Sequence, residues 1–423
     1  MSSSIQSIEN LIKSDPKQAQ SQLIKIISNQ VDIKDENALR EKEVALIKLG
    51  EIYRDQNDPN GLADTIRSCR SFMSSIAKAK TSKLIKTLID YFSSPPLNQN
   101  PSSSSIQIQI TRENIQWSKE ESQIFLKQSL EIKLSNLLFE DHQTKEALGM
   151  ISSLLIELKK LDDKLILTEV HLLESKIRHS LSDPPKANAA LISARTAANS
   201  IYCPPLLQAQ LDLQSGVLHA ESKDYKTAYS YFFEALEGFS SQDDSRASLA
   251  LKCMLMCKVM LNLPEDVLTI QNSKLARKYT GRGTEAMQAI AKAHQERSLA
   301  KFEEALKTYK PELSDDPIVR NHLSSLYDTL LEQNLLRIIE PYSRLELNFI
   351  SNQVKLPLRD VEAKLSQMIL DKVFNGIIDQ GLGCLEVYDE VSNELIYDHT
   401  LDCLKQIGSV VDSLYAKAQK LGQ

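Results

Sequence analysis

Apolar residues recur at helical spacing through most of the chain. The clearest stripe falls at i, i+3, i+4, i+7, i+10, i+11 and i+14 and consists of Tyr225, Ala228, Tyr229, Phe232, Ala235, Leu236 and Phe239. Such a stripe predicts an amphipathic helix that packs on a neighbour through one face. The preceding Lys223 and Asp224 indicate a turn, so residues 206–239 are predicted to form a helical hairpin. We expect the aromatic side chains to be core residues rather than a cofactor site.

Short related segments recur along the middle of the chain. Their aligned positions are separated by 40, 41, 39 and 35 residues and are Ala147, Ala187, Ala228, Val267 and Phe302. A period of this size is typical of stacked helical hairpins, which bury a continuous core only against their neighbours. The sequence therefore predicts an all-α fold containing a right-handed α-solenoid of helical hairpins. The period is tetratricopeptide-like, although the strict tetratricopeptide pattern is absent.

A low-complexity run interrupts the helical pattern at residues 93–105, which read SSPPLNQNPSSSS. This composition is typical of a flexible linker or loop. Before it, Asp15-Pro16 and Asp58-Pro59 each predict a helix start, with Asp as N-cap and Pro at the first helical position. The predicted segments are an N-terminal helical-hairpin arm (1–92), the flexible segment (93–105), a tetratricopeptide-like solenoid (106–322), a winged helix (323–390) and a C-terminal helix (391–423).

The last third of the chain departs from the repeat. Its elements read as helix, strand, helix, helix and hairpin, which is the order of a winged helix. Leu335–Ile339 is the apolar run expected as the first strand, and residues 374–379 and 384–388 flank the Gly-rich turn Gln380–Gly383 as a hairpin. A helix over about 398–420 follows, and its apolar residues alternate steps of four and three, as in coiled coils. A terminal helix this apolar predicts a protein partner.

Charge and composition narrow the function classes. The 423-residue chain has 50 Lys and Arg against 56 Asp and Glu, a net charge of −6, so it lacks the basic excess that drives phosphate binding. The candidate recognition helix of the winged helix pairs Arg359 and Lys364 with Asp360 and Glu362. We therefore expect no nucleic-acid partner. No apolar stretch reaches the roughly 20 residues of a membrane span, and no secretory signal precedes the first helix, so we expect a soluble intracellular chain with no membrane partner.

The residues that carry chemistry do not fall into catalytic or metal-binding patterns. The segment His171-Leu172-Leu173-Glu174 lacks the second His of a zinc-binding helix. Cys253 and Cys257 share a helical face, but two thiolates do not make a structural zinc site. Neither glycine cluster, at 281–283 or 381–383, carries the Gly-Lys-Ser/Thr of a phosphate-binding loop. We expect no catalytic, cofactor-binding or metal-binding residue, and hence no enzyme.

Two surfaces are instead predicted to bind protein partners. Hairpin strands offer edges that another chain can extend by strand addition, and the candidate residues at this winged-helix edge are Phe374, Ile377, Ile378, Leu385 and Val387. The candidate residues on the C-terminal helix are Leu401, Leu404, Val411, Leu414, Tyr415 and Leu421.

Five segments carry a family resemblance: Ile201–Pro205, Lys226–Phe239, Leu330–Ser343, Lys364–Lys372 and Val410–Tyr415. They closely resemble the PCI-domain, tetratricopeptide-like non-ATPase subunits of the 26S proteasome regulatory-particle lid, of the subunit 11 type. The similarity covers residues 115–421 well and is weaker before residue 92.

The resemblance implies a non-catalytic scaffold needed for lid assembly. In that family the PCI domain joins the PCI domains of other lid subunits, and the C-terminal helix enters a bundle of lid helices. The N-terminal arm reaches the core-particle α-ring and the ATPase ring, which clamps the regulatory particle to the core particle in ubiquitin-dependent degradation. The resemblance further implies a cytoplasmic and nuclear protein that is not a homo-oligomer. The alternative is the paralogous PCI scaffold subunit of the signalosome.

Overall fold

The computed structural model describes residues 20–24, 36–70, 78–95, 97, 101–296, 298–314, 317–388 and 395–421. These residues are mostly helical, with one three-stranded sheet. No helix among them has the length and apolar character needed to cross a membrane. The chain divides into two compact units, residues 1–250 and 251–423.

The first unit consists of helices joined by short turns. They are α1 (Glu36–Asp55), α2 (Pro59–Ser68), α3 (Lys78–Ser93), α4 (Pro101–Glu120), α5 (Ile124–Glu140), α6 (Thr144–Leu161), α7 (Lys164–Ser180), α8 (Pro184–Asn199), α9 (Pro205–Glu221) and α10 (Tyr225–Ser241), followed by α11 (Ala247–Met260), in which the division falls. Consecutive helices pack as hairpins, most extensively α7 on α8 and α9 on α10.

The predicted repeat is confirmed by burial. All five aligned positions, Ala147, Ala187, Ala228, Val267 and Phe302, are fully buried. In the α9–α10 hairpin the small side chain of Ala228 lies on the same buried face as Phe232 and Phe239. Each repeat therefore places its aligned residue in the core, as stacking of hairpins requires.

Four turns of the first unit contain a residue with left-handed backbone conformation. Ser122, His142, Asp162 and Ser182 all have left-handed backbone conformations, with φ between 53° and 61°, at intervals of twenty residues. At three of these turns, those of Ser122, His142 and Ser182, two backbone hydrogen bonds close the preceding helix. At His142, for example, its N donates to the Phe139 carbonyl (3.1 Å) and the next N donates to the Leu138 carbonyl (2.8 Å). This is the Schellman arrangement, which satisfies the last carbonyls of a helix.

The helix start predicted at Asp58-Pro59 is confirmed. The Asp58 carboxylate accepts a hydrogen bond from the Gly61 N–H at 3.2 Å, and Pro59 is the first residue of α2. The matching prediction at Asp15-Pro16 lies outside the described residues.

The prediction of a flexible segment is wrong for residues 101–105, which form the start of α4. Ser103 is buried there, and the buried Gln107 donates to the Ile89 carbonyl (3.2 Å) and to Ser93 Oγ (3.0 Å). These bonds link α4 to the end of α3. The predicted boundary at residue 105 therefore falls inside a helix, because tertiary packing outweighs the serine-rich composition.

The second unit begins with shorter helices and ends in a winged helix and one long helix. The elements are α12 (Pro264–Gln271), α13 (Lys274–Lys278), α14 (Arg282–Gln295), α15 (Leu299–Thr308), α16 (Lys310–Ser314), α17 (Pro317–Ile339), β1 (Arg344–Glu346), α18 (Leu347–Val354), α19 (Leu358–Leu370), β2 (Asn375–Asp379), β3 (Cys384–Tyr388) and α20 (Leu395–Leu421).

The winged-helix order is confirmed, with one strand displaced from its predicted place. Leu335–Ile339 is the end of α17, and the first strand is the later β1. The sheet has the order β1-β3-β2 and is antiparallel throughout, with Leu385 of β3 opposite Leu345 on one side and Ile378 on the other. The prediction failed because a three-residue strand carries too little alternation to be recognised.

Candidate functional site

An extended exposed apolar surface of the second unit is on α20. Residues 399–418 are exposed at every position. The predicted interface residues Leu401, Leu404, Val411, Leu414 and Tyr415 are between 55% and 69% exposed. The side chain of Leu421, the sixth predicted residue, lies outside the described side chains.

Two further apolar residues widen this face. Ile407 and Val410 are as exposed as their neighbours. Residues 401–407 include the large aliphatic residues Leu401, Leu404 and Ile407, and residues 408–414 include Val410, Val411 and Leu414. Each heptad therefore has three such residues rather than the two of a simple coiled-coil seam. A face this wide is suited to packing against more than one helix. Each such side chain can contribute about 1.5–3 kcal/mol when fully buried, before the cost of ordering is subtracted.

Only part of the predicted winged-helix edge is exposed. β2 is an edge strand, and its Ile377 is well exposed, while Phe374 and Ile378 are half-buried. Leu385 is fully buried. The prediction of Leu385 as an interface residue is therefore wrong, because β3 is the central strand and its inward face forms the core. Val387 lies on the same central strand and is half-buried.

Several exposed apolar residues of the winged helix were missed from the sequence. Leu370, at the end of α19, is 81% exposed, and Val373, Leu382 and Tyr388 are also exposed. Leu382 lies at the tip of the hairpin, where Asp379 Oδ1 accepts from the Gly381 N–H (2.8 Å) and the Leu382 N–H (3.1 Å). A leucine between two glycines in a turn was the available signal, because turn residues are usually polar.

His171, Glu174 and Cys257 lie in hydrogen-bonded or buried positions. His171 Nδ1 lies 3.3 Å from Glu174 Oε2, and Arg178 donates to the other oxygen of that carboxylate. These hydrogen bonds, that of His171 foremost, lower the pKa of Glu174. Burial raises the pKa of the Cys257 thiol. No group of three or more His, Cys, Asp or Glu side chains within the described ranges could bind a metal ion.

The candidate recognition helix α19 directs one of its two cations inward. Lys364 Nζ lies 2.8 Å from Glu332 Oε1 of α17, and the lysine side chain is largely buried. A lysine used in this way stabilises the packing of two helices and does not present its charge to a phosphate backbone.

Comparison with known families and proteins gives consistent matches along the chain. Residues 1–141 match the family model of the 26S proteasome regulatory subunit RPN6 N-terminal domain. Residues 306–389 match the PCI domain, and residues 396–419 match the 26S proteasome subunit RPN6 C-terminal helix domain. The last match coincides with α20.

Three curated relatives are similar over nearly their whole length. The probable 26S proteasome regulatory subunit rpn6 of Schizosaccharomyces pombe is 49% identical, covering 97% of both chains. The 26S proteasome non-ATPase regulatory subunit 11 homolog of Arabidopsis thaliana is 48% identical, covering 91% of this chain and 90% of its own. The 26S proteasome regulatory subunit RPN6 of Saccharomyces cerevisiae is 45% identical, covering 92% and 89%.

Proposed function

Because the chain belongs to the Rpn6 family of 26S proteasome regulatory subunits, also named non-ATPase regulatory subunit 11, we propose that it is a non-catalytic scaffold of the proteasome lid. The observation that carries the proposal is the exposed apolar face of α20, which lies within the family's own C-terminal helix domain. The signalosome alternative is not favoured, since the full-length relatives carry proteasome names.

The scaffold acts by burying α20 among helices of other lid subunits. Seven large apolar side chains lose contact with water on assembly, namely Leu401, Leu404, Ile407, Val410, Val411, Leu414 and Tyr415. The hydrophobic effect supplies the driving force, and the three-per-heptad pattern suits a bundle rather than a pair of helices.

The winged helix supplies a second, lateral contact to neighbouring PCI subunits. The free edge of β2 and the exposed side chains of Leu370, Ile377 and Leu382 are its contact residues. Main-chain pairing along a sheet edge gives affinity, and exposed side chains beside the edge give specificity.

The N-terminal arm, which falls within the match to the family's N-terminal domain, makes the remaining contact. It reaches the core-particle α-ring and the ATPase ring and so clamps the regulatory particle to the core particle. The protein works in the cytoplasm and nucleus, where proteins are degraded after ubiquitin attachment. It catalyses no reaction itself, and it assembles with other subunits rather than with copies of itself.

The test is capture of the tagged full-length chain from cell extract, followed by a native gel with a peptidase overlay. ATP-stimulated peptidase activity at the mobility of the complete proteasome is the expected result. Capture of an inactive, deneddylating complex would instead identify a signalosome subunit and overturn the proposal.

A further inference from the structure

A concave surface of the second unit lies between the three helices α15, α16 and α17. It encloses about 530 Å³. Its floor is apolar and consists of Leu306, Leu313, Leu323 and Tyr327, of which Leu313 and Leu323 are buried. The Tyr327 ring packs against the ring of the buried Phe302, with ring centroids 6.1 Å apart. We call this surface the α15–α17 groove.

Among the described residues that line the α15–α17 groove, cations outnumber carboxylates. Lys307, Lys310 and Arg320 line it and are exposed, and Glu303 is the single acidic residue among its described lining residues. The chain as a whole carries a net charge of −6. Cations gathered around an apolar floor attract a ligand that combines carboxylates with apolar side chains.

We propose that the α15–α17 groove binds an acidic, apolar peptide segment of a partner protein. Leucine-like side chains of the segment lie on the floor, and its carboxylates pair with Lys307, Lys310 and Arg320. The Arg320 guanidinium provides a fork for two carboxylate oxygens, while the two lysines act as point charges. This contact is separate from the α20 face and from the sheet edge, and it does not depend on lid membership.

Fluorescence anisotropy on the full-length chain tests the proposal with two labelled dodecapeptides. One repeats Glu-Glu-Leu-Leu three times and the other repeats Lys-Lys-Leu-Leu. The acidic peptide is expected to bind at least about tenfold more tightly than the basic one, and more weakly as salt rises. Asp315 and Asp316 join α16 to α17 in the sequence and lie outside the described residues. The two peptides differ only in the sign of their charge, so comparing them measures the charge preference of the groove with these aspartates present.

Variants then assign the binding to the groove. The double substitution Lys307→Glu with Arg320→Glu is expected to weaken the acidic peptide at least about tenfold. Ser324→Trp, which fills the groove without altering its charge, is expected to weaken both peptides. One control should leave binding unchanged: Lys292→Glu, an exposed charge reversal on α14, which does not line the groove.

Three results would overturn the proposal: no binding of the acidic peptide by the wild-type chain, equal binding of the two peptides, or unchanged binding in both groove variants. Circular dichroism melts of every variant separate loss of binding from loss of folding.

Discussion

Gly216 of α9 lies directly against the ring of Phe232 of α10. A Cβ atom added at position 216 would lie 2.7 Å from Cε1 and 2.8 Å from Cδ1 of that ring, closer than real Cβ contacts allow. Phe232 is fully buried, so its ring has little room to move away. The close approach of α9 and α10 therefore requires glycine, which has no side chain, at position 216.

Gly216→Ala is expected to destabilise the protein. Overpacking a core costs about 1–3 kcal/mol, and the better helix propensity of alanine returns only about 1 kcal/mol. The matched control is Gly149→Ala in α6, where an added Cβ meets nothing within 4 Å. The control should stabilise by about 0.5–1 kcal/mol. Urea denaturation measures both, and equal shifts of the two midpoints would contradict the packing account.

Asp212 is expected to make stability fall as pH rises from about 4 to about 6. The carboxyl is buried in α9, where it accepts two hydrogen bonds from Gln208 Nε2 at 3.2 and 3.1 Å. Burial raises its pKa from 3.8 to about 6, against the lowering effect of Gln208. Because the pKa is higher in the folded state, protonation of Asp212 favours folding. Its contribution to the free energy of unfolding is fully present below about pH 4 and is lost as the pH rises through the folded-state pKa.

Asp212→Asn is therefore expected to stabilise the protein at pH 7.5 by about 1–2 kcal/mol. At pH 4 the variant and the wild type should differ little, because the aspartic acid is neutral there. Urea midpoints of both proteins between pH 4 and 8 check this prediction. The other titratable groups are common to both proteins, so their effects on stability cancel in the difference between the midpoints. A difference that does not change with pH would contradict the assignment to Asp212.

Leu404→Asp is expected to leave the isolated chain folded and to prevent its incorporation into the lid. Position 404 is 64% exposed, so the change removes little packing among the described residues. A charge buried in a helix bundle costs several kcal/mol. Ser409→Asp, at an exposed position on the side of α20 away from the apolar face, is the control and should incorporate normally. Melting curves and native-gel mobility are the two measurements, and normal incorporation of the Leu404 variant would contradict the bundle role.

The cysteines are expected to react in the order of their exposure. Cys403 is exposed on α20, whereas Cys69, Cys253 and Cys257 are buried. Burial raises the pKa of Cys69 to about 11, which leaves almost no thiolate at neutral pH. Brief alkylation followed by mass spectrometry should label Cys403 first and label the buried three only in denaturant. Assembly with partners should protect Cys403.

The sequence was informative where a signal was local and repeated. The stripe from Ala228 to Phe239 predicted the buried face of α10, and Asp58-Pro59 predicted the start of α2, because both follow from helix geometry alone. The exposed face of α20 was predicted for the same reason. An apolar stripe is visible whether or not its partner is present.

The predictions from sequence were wrong where the burial of a residue depends on contacts with segments distant in the chain. Nothing near Leu385 indicates that its strand is flanked on both sides, because β1 is separated from it by about forty residues. Ser103 is buried in α4, and Gln107 is held there by hydrogen bonds to α3, which the composition of the segment does not reveal. Sheet order and tertiary packing are relationships between separated segments, so a local reading cannot supply them.

The regular left-handed turns have a kinetic consequence. Since the turns close every twenty residues or so, most contacts of the first unit join segments that are near in sequence, such as α7 with α8. Little loop entropy is lost when such a contact forms, so each hairpin can form early and serve as a template for the next. The first unit should accordingly fold quickly by propagation and open from its ends, and amide hydrogen exchange should slow from its terminal helices toward its middle.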